Sequence, residues 1–508
     1  MQVTPSRLAT TLQRLWPEAR SLPALGVAPL GLATDSRGAG PGTVFVAVPG
    51  VAADGRDFIE AALASGTFAV LCHAGDEPPC LDDPRVVLLP GLRERLGELG
   101  RELFAVPEAL ELIGVTGTNG KSSVTHYIAE LSEALGTPAG LVGTLGHGRI
   151  GSLRDGGLTT PGPLALQAAL GGLADAGVKR VAMEVSSHAL EQGRLDGCRL
   201  AAAVFTNLSR DHLDYHGSMA AYAAAKARLF RREELGLAVV NADDPLARLM
   251  LAGLPGGREG RVRVLATGVD EAVTFRVIDW HPHAAGQRAL VATPEGERVL
   301  ESALLGRFNL DNLLLAIATL HGLGHGIGEL FEAAAGLAPV PGRMEALRYP
   351  GAPTVVIDYA HTPDALGSAL GALRAHLPTA GRLWCLFGCG GDRDPGKRAL
   401  MAAAAERHAD RLVVTDDNPR GEVPAEIRAA VLAGLSPEGR RQALEIDGRR
   451  SAIARVLVDA DAEDLVLIAG KGHEAYQEVA GVRHPFSDLD EAERALAARG
   501  AMGGEEGP

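Results

Sequence analysis

The feature that most constrains this chain is TGTNGKSS at residues 116–123, which follows the apolar run LELIGV and opens a helical pattern. Val124, Ile128, Leu131 and Leu135 recur at helical spacing until Gly136. A strand that passes through small residues into a helix beginning Gly-Lys-Ser is a phosphate-binding device. Its backbone amides approach the phosphates, the helix N-terminus adds positive potential, Lys121 adds a full charge and Ser122 can ligate magnesium. The strict pattern GxxxxGK[ST] needs glycine at 115, where this chain has Val115, so the loop is a variant carried by Gly117 and Gly120. Such a loop requires an α/β sheet behind it.

Strand-like runs at 112–116, 181–185, 201–205 and 238–240 alternate with helical segments and supply that sheet. Upstream, a strand-like run at 43–48 and a turn-rich segment at 36–42 indicate a smaller α/β region. Downstream, the Pro/Gly-rich GLAPVPGR at 336–343 precedes further strands at 354–357, 383–387, 412–415 and 465–469. The expected fold is α/β with three domains. These are a small N-terminal α/β domain at 1–106, a central P-loop ATPase domain at 107–338 and a C-terminal Rossmann-like domain at 339–508. The last ten residues read as a frayed tail.

A net charge of -14 argues against a nucleic-acid footprint, so an anionic ligand must be gripped locally. Cys72, Cys80, Cys198, Cys385 and Cys389 are odd in number and scattered, which fits a reducing cytoplasm rather than a disulfide framework. The N-terminus lacks the apolar core of a signal peptide. The longest uncharged stretch, 156–174, is broken by Thr, Pro, Gln and Gly, so no membrane insertion is expected.

Several polar residues fall where strands end. Glu184, in VAMEVSSH, would be costly to bury unless it holds a cation or a donor, and a magnesium ligand is the favoured use. The segment TNLSRDHLDYHG at 206–217 packs Asp211, His212, Asp214 and His216 together. Taken alone, His212 and His216 read equally as a zinc pair or as a solvated helix face. Lys226, in AYAAAKARLF, reads on composition as a surface lysine. In the third region each strand runs into a polar or glycine-rich segment: DYAHTPDA, GCGGDRD, DDNPR and GKGHE. In a parallel sheet these should line one mouth. Arg393 and Arg420 suit a carboxylate and Glu474 suits an ammonium group, so a zwitterionic amino acid would satisfy them together. Cys385 and Cys389 read as packing residues.

The chain resembles the Mur ligases across nearly its whole length. The resemblance is carried by TDSR, ADGRDFI, TGTNGKS, TTP, EVSSHAL, DHLDYHG, the helix around Lys226, FNLDN, PGRME, DYAHTPD, GCGGDRD, DNPR and GKGHE. It implies a monomeric ATP-dependent ligase that adds a diamino acid to a UDP-N-acetylmuramoyl-dipeptide through an acyl phosphate. By position, Thr34, Ser36, Val51, Ala52 and Ala53 would lie at the uridine nucleotide. Thr159, Thr160, Ser186, Gln192 and Arg194 would meet the muramoyl-dipeptide end. ATP would meet Gly117, Thr118, Asn119, Gly120, Lys121, Ser122, Asn309, Arg343 and Asp358. Ser122, Glu184 and His212 would serve Mg2+, and the resemblance turns Lys226 into a carbamylated metal ligand. Lys121, Glu184, His212 and Lys226 would thus form the catalytic set. Arg393, Asp417, Asn418, Pro419, Arg420, Gly470 and Glu474 would bind the amino acid. DNPR accompanies meso-2,6-diaminopimelate in this family, with L-lysine and L-ornithine as the alternatives.

Two further readings compete. One is a relative acting on another acceptor, such as the following step of the pathway or folate polyglutamylation; TDSR, DGRDFI and DNPR in one chain disfavour it. The other is a nucleotide-controlled binding module, which would hydrolyse ATP without acceptor or amino acid.

Overall fold

The structure, a computed structural model, describes every residue except 24, 25, 27, 52, 76–82, 256–261 and 504–508, with the backbone alone described at 500–503. It divides into two compact units, Met1–Leu265 and Ala266–Pro508.

The first unit holds two sheets. In one, the strands Gln2–Val3, Leu30–Ala33, Thr43–Ala47, Ala69–Ala74 and Val86–Pro90 lie side by side in chain order. The first pair is antiparallel and the others are parallel. Helices Pro5–Leu15 and Leu96–Leu103 bury Leu8, Leu12, Leu96 and Leu99 against Val44, Val46 and Leu71. The face of Leu96–Leu103 that carries Gly97 and Gly100 meets Asp196 and Gln167 of the same unit. A Cβ at Gly97 would stand 1.7 Å from the Asp196 carbonyl oxygen, so only glycine permits that approach.

In the other sheet the order is Leu237–Asn241, Leu200–Phe205, Glu111–Thr116, Arg180–Glu184, Ala139–Gly143 and Gly146–Gly148. Only the last pair is antiparallel among the pairings described. The four strands expected from sequence are therefore contiguous neighbours, and the strand feeding the phosphate loop lies inside the sheet. The edge at Gly146–Gly148 is too glycine-rich and short to register as an apolar run.

The second unit contains an antiparallel meander, Phe275–His283, Gly286–Thr293 and Gly296–Ser302, followed by helices Arg307–Gly322 and Ile327–Ala335. Its larger sheet runs Glu345–Leu347, Thr354–Asp358, Leu465–Ala469, Leu383–Phe387, Arg411–Val414, Leu444–Glu445, parallel except at the first pair. Apolar clusters cover both faces, as an internal parallel sheet requires. The strand Leu465–Ala469 returns between two earlier strands, so the connections run outward on either side of it. A crevice is expected at that switch, beyond the carboxyl ends.

The expected frayed tail is corrected over 499–503, and 504–508 lie outside the described residues. Residues 499–503 continue the helix Asp488–Gly503. Its first residue, Asp488, forms a wholly buried ion pair with Arg449, whose Nε and Nη2 donate at 2.6 and 2.7 Å.

Candidate active site

The phosphate loop is built from backbone geometry. Gly117 has φ +151°, and a Cβ there would lie 1.8 Å from Thr206 Oγ1; Gly120, at φ +83°, caps the helix Lys121–Ala134. Thr118 N donates to the Asn207 carbonyl (2.8 Å) and Asn119 N to Asn207 Oδ1 (3.0 Å), tying the loop to the end of the adjacent strand. Lys121 Nζ donates to the carbonyls of Gly117 (2.9 Å) and Thr118 (2.7 Å).

A second lysine amino group reaches the same place. Lys226 Nζ donates to the Gly117 carbonyl at 2.7 Å and lies 4.6 Å from the Tyr222 ring centroid. It comes from the helix Met219–Ala227, which starts at a Ser218 cap. Lys226 is 1 % exposed, so the surface-lysine reading is corrected: the alanines around it form a packed face. Burial, followed by the charge of Lys121, holds its pKa well below the usual lysine value. Tyr222, four residues earlier on the helix, bonds Thr118 Oγ1 at 3.2 Å.

Glu184 is buried at its strand end, where Oε1 accepts from Thr144 N (2.9 Å) and Oε2 from Thr144 Oγ1 (3.2 Å). Ser122, His126, Gly143 and Glu184 line one small cleft. Burial lowers the His126 pKa to about 4, so that imidazole is neutral there.

The two histidines of DHLDYH do not act as a pair. His212, at φ +51°, precedes the short helix Leu213–His216, is half exposed, and has Nε2 3.4 Å from Asp211 Oδ2. The His216 ring is buried, with Nε2 at 2.9 Å from Ser187 Oγ and Nδ1 at 3.2 Å from Glu191 Oε2. Both of its nitrogens are engaged, which corrects the zinc-pair reading, and the solvated-face reading fails for His216 while His212 is exposed. Among the described residues no group of three or more His, Cys, Asp or Glu side chains is arranged to hold a metal. Cys72, Cys198, Cys385 and Cys389 are buried free thiols; Cys80 lies outside the described residues.

The residues expected at the muramoyl-dipeptide end form a connected set. Thr144 and Thr159 hydroxyls bond at 3.0 Å, and Thr160 Oγ1 donates to the Glu184 carbonyl (2.8 Å). Arg194 Nη1 donates to the Thr160 carbonyl (2.8 Å), while its Nε and Nη2 grip Gln192 Oε1. Ser186 Oγ caps the helix Ser187–Glu191. In the smaller sheet, Thr34 and Ser36 follow Leu30–Ala33, and Val51 and Ala53 follow Thr43–Ala47, so both segments stand beyond the carboxyl ends of adjacent parallel strands. Ala52 lies outside the described residues. Asp35 receives Arg37 N at 2.9 Å and Asp54 receives Arg56 N at 2.9 Å, folding each segment into a 3-10 turn. The Arg37 side chain lowers the Asp35 pKa to about 2.

In the second unit the four strand-end segments meet. Gly470 N donates to the Asp358 carbonyl (3.1 Å) and Gly391 N to the Asn418 carbonyl (2.9 Å). Asn418 Nδ2 donates to Glu474 Oε2 at 2.8 Å, and Arg420 Nη1 to the Gly391 carbonyl at 2.8 Å. Asp417 Oδ1 accepts from Asn418 N (2.6 Å), Pro419 is buried, and Arg393 is exposed. Asp358 accepts from Met344 N and Ala360 N, with burial raising its pKa. The Arg343 guanidinium stacks over Tyr359 at 4.6 Å, and Asn309 Nδ2 donates to the Leu305 carbonyl. Gly342, in the Pro/Gly-rich segment, is packed: a Cβ there would lie 2.1 Å from His473 N.

Thr144, Tyr222 and Lys471 enter the site without being among the expected site residues. Tyr222 had a signal, one helical turn before Lys226. Lys471 lay inside GKGHE. Thr144, in the unremarkable GTLG, had none.

Three family descriptions match successive stretches: Mur ligase family, catalytic domain, at 30–102; Mur ligase middle domain at 115–320; and Mur ligase, glutamate ligase domain, at 342–472. The chain belongs to the Mur ligase family. Within it, the UDP-N-acetylmuramoyl-L-alanyl-D-glutamate--2,6-diaminopimelate ligase of Pseudomonas aeruginosa is 50% identical over 471 residues, covering 92% of this chain and 95% of that protein. The ligase of the same name from Xylella fastidiosa is 46% identical over 506 residues, covering 97% and 99%. A solved structure of a ligase of that name matches with a TM-score of 0.71 at 39% identity, covering 98% of this chain and 100% of that one. The MurF ligase from Thermotoga maritima in complex with ADP shares the fold, with a TM-score of 0.62 at 18% identity over 92% and 97% of the two chains.

Proposed function

We infer that this chain is an ATP-dependent ligase of peptidoglycan synthesis, working in the cytoplasm. It joins meso-2,6-diaminopimelate to the D-glutamate of UDP-N-acetylmuramoyl-L-alanyl-D-glutamate. The observation that carries the reading is the meeting of Gly391, Asn418, Arg420 and Glu474 at the strand ends, in a chain half identical to ligases of that name. Residues 1–106 would bind the uridine nucleotide, 107–338 ATP, and 339–508 the amino acid.

A carboxylate is a poor electrophile. Transfer of the γ-phosphoryl group of ATP to it releases ADP and gives an acyl phosphate. The amine of the amino acid then attacks the acyl carbon and inorganic phosphate leaves. The loop amides and Lys121 hold the phosphates and stabilise the charge of the transferring group. Thr159, Thr160, Ser186, Gln192 and Arg194 position the dipeptide. Arg420 and Arg393 take the amino acid's carboxylates, and Glu474 takes an ammonium group.

Ser122 and Glu184 share one cleft, which suits a magnesium ion whose remaining ligands are water and phosphate oxygens. His212 and a carbamate on Lys226 would serve a second. Bound there, magnesium would neutralise charge on the triphosphate. The carbamate is supported by the lowered pKa of Lys226, because the neutral amine is the form that takes up carbon dioxide.

The test is mass spectrometry of products formed from the dipeptide nucleotide, ATP and an equal mixture of diaminopimelate, lysine and ornithine. A diaminopimelate adduct with ADP release is expected. A lysine or ornithine adduct overturns the amino-acid assignment, and no adduct with any of them overturns the ligase reading.

A further inference from the structure

Lys471 follows the strand Leu465–Ala469 and Gly470, and its side chain is wholly buried. A buried ammonium group needs partners for its protons. Nζ donates to Glu474 Oε2 at 3.0 Å and to Asn418 Oδ1 at 3.1 Å, with the Tyr476 ring centroid 5.6 Å away.

These contacts settle the orientation of two side chains. An ammonium group only donates, so Asn418 must turn its carbonyl oxygen toward Lys471 and its NH2 toward Glu474. Glu474 Oε2 thereby receives both Lys471 Nζ and Asn418 Nδ2, and Oε1 has no hydrogen-bond partner among the described residues. The Glu474 side chain is 20% exposed, so that oxygen is available to a ligand. Asn418 Oδ1 also accepts from Glu478 N at 2.9 Å. The Glu478 carbonyl in turn accepts from Arg420 N at 3.0 Å, and its Oε2 stands 3.9 Å from Arg420 Nε. One ammonium group thus touches two of the amino-acid-binding residues and steadies the segment that carries the third.

We propose that Lys471 is the positioning residue of the amino-acid site, holding Glu474 so that Oε1 receives an ammonium group of the incoming diamino acid and fixing the Asn418 amide beside it. This rests on the assignment of Asn418, Arg420 and Glu474 to amino-acid binding. Lys471 itself does not touch the substrate. Methionine would fill its volume but leave Glu474 Oε2 with Asn418 Nδ2 as its one donor, and Asn418 Oδ1 with Glu478 N alone. Arginine brings a planar fork too large for the wholly buried position.

The test is a double-mutant cycle in the full-length protein, with steady-state KM values for diaminopimelate, ATP and the dipeptide nucleotide and a thermal midpoint for each variant. Lys471→Met should raise KM for diaminopimelate roughly tenfold or more and leave KM for ATP within about twofold. Added to Glu474→Gln, it should raise KM for diaminopimelate by no more than about twofold beyond Glu474→Gln alone, because Lys471 acts through that carboxylate. Lys471→Gln provides a second reading should the methionine variant not fold. Additive effects, an equal rise in all three KM values, or insolubility of both Lys471 variants would each overturn the proposal. A Glu474→Gln protein with unchanged KM for diaminopimelate would overturn the amino-acid site as well.

Discussion

Two lysine amino groups share the carbonyl of Gly117, Lys226 at 2.7 Å and Lys121 at 2.9 Å. Mutual repulsion and burial favour neutrality of the more deeply placed one, and the lowered pKa of Lys226 has those causes. A neutral buried amine beside a cation is suited to becoming an anion. Lys226→Ala should therefore lower turnover by roughly a hundredfold or more. A short added carboxylate such as formate should restore part of it, measured as phosphate release with all substrates present. A fully active, unrescued variant would refute the carbamate. Gly117→Ala isolates the loop's geometry, because its Cβ would enter Thr206 Oγ1 and its φ of +151° disfavours any side chain. Destabilisation by more than ~2 kcal/mol is expected, together with weaker ATP binding. Thermal unfolding and ATP titration check the two effects separately.

Between elements, a comparable junction is made by His376, after the helix Pro363–Arg374 in the second unit. Nε2 accepts from Gly306 N at 2.8 Å, so Nδ1 carries the proton and donates to the His283 carbonyl at 2.9 Å. The imidazole thereby joins the meander to the start of the helix Arg307–Gly322. Burial is the leading cause that lowers its pKa from 6.5, with the charges of His283 and Arg348 adding to it. Below pH 6.5 the unfolded chain binds a proton here that the folded chain refuses, so stability falls with pH until the lowered value is reached. His376→Ala leaves the buried Gly306 N–H unpaired and takes a donor from the part-buried His283 carbonyl, a loss of ~2 kcal/mol, and should reduce this acid sensitivity. Thermal midpoints of both proteins on either side of pH 6.5 check it. The meander itself was not legible in the sequence. Phe275–His283 is half exposed and carries Asp, His and Arg among its apolar residues, whereas Leu465–Ala469 is covered on both faces and is uninterruptedly apolar. The site was legible where one segment carries its chemistry, as in TGTNGKSS and DNPR. Thr144 against Glu184, 40 residues apart, and Lys471 against Asn418, 53 apart, exist only once the strands are paired.

At the scale of the whole molecule, the phosphate loop belongs to the first compact unit, while Asn418, Arg420 and Glu474 belong to the second. An acyl phosphate formed without its amine would be lost to water, so phosphoryl transfer must depend on more than the nucleotide-binding segment. The strand-end residues that would grip the amino acid share no chemistry with ATP, and each substrate therefore supplies binding energy the other two cannot replace. Omitting either the dipeptide nucleotide or diaminopimelate should reduce phosphate release to about one hundredth or less of the complete reaction, a loss of ~2.7 kcal/mol or more in transition-state stabilisation. A nucleotide-controlled switch would behave differently, hydrolysing ATP alone at a rate that diaminopimelate leaves unchanged. Continuous phosphate detection with each substrate withheld in turn distinguishes the two, and rapid hydrolysis without the dipeptide nucleotide would sink the ligase assignment.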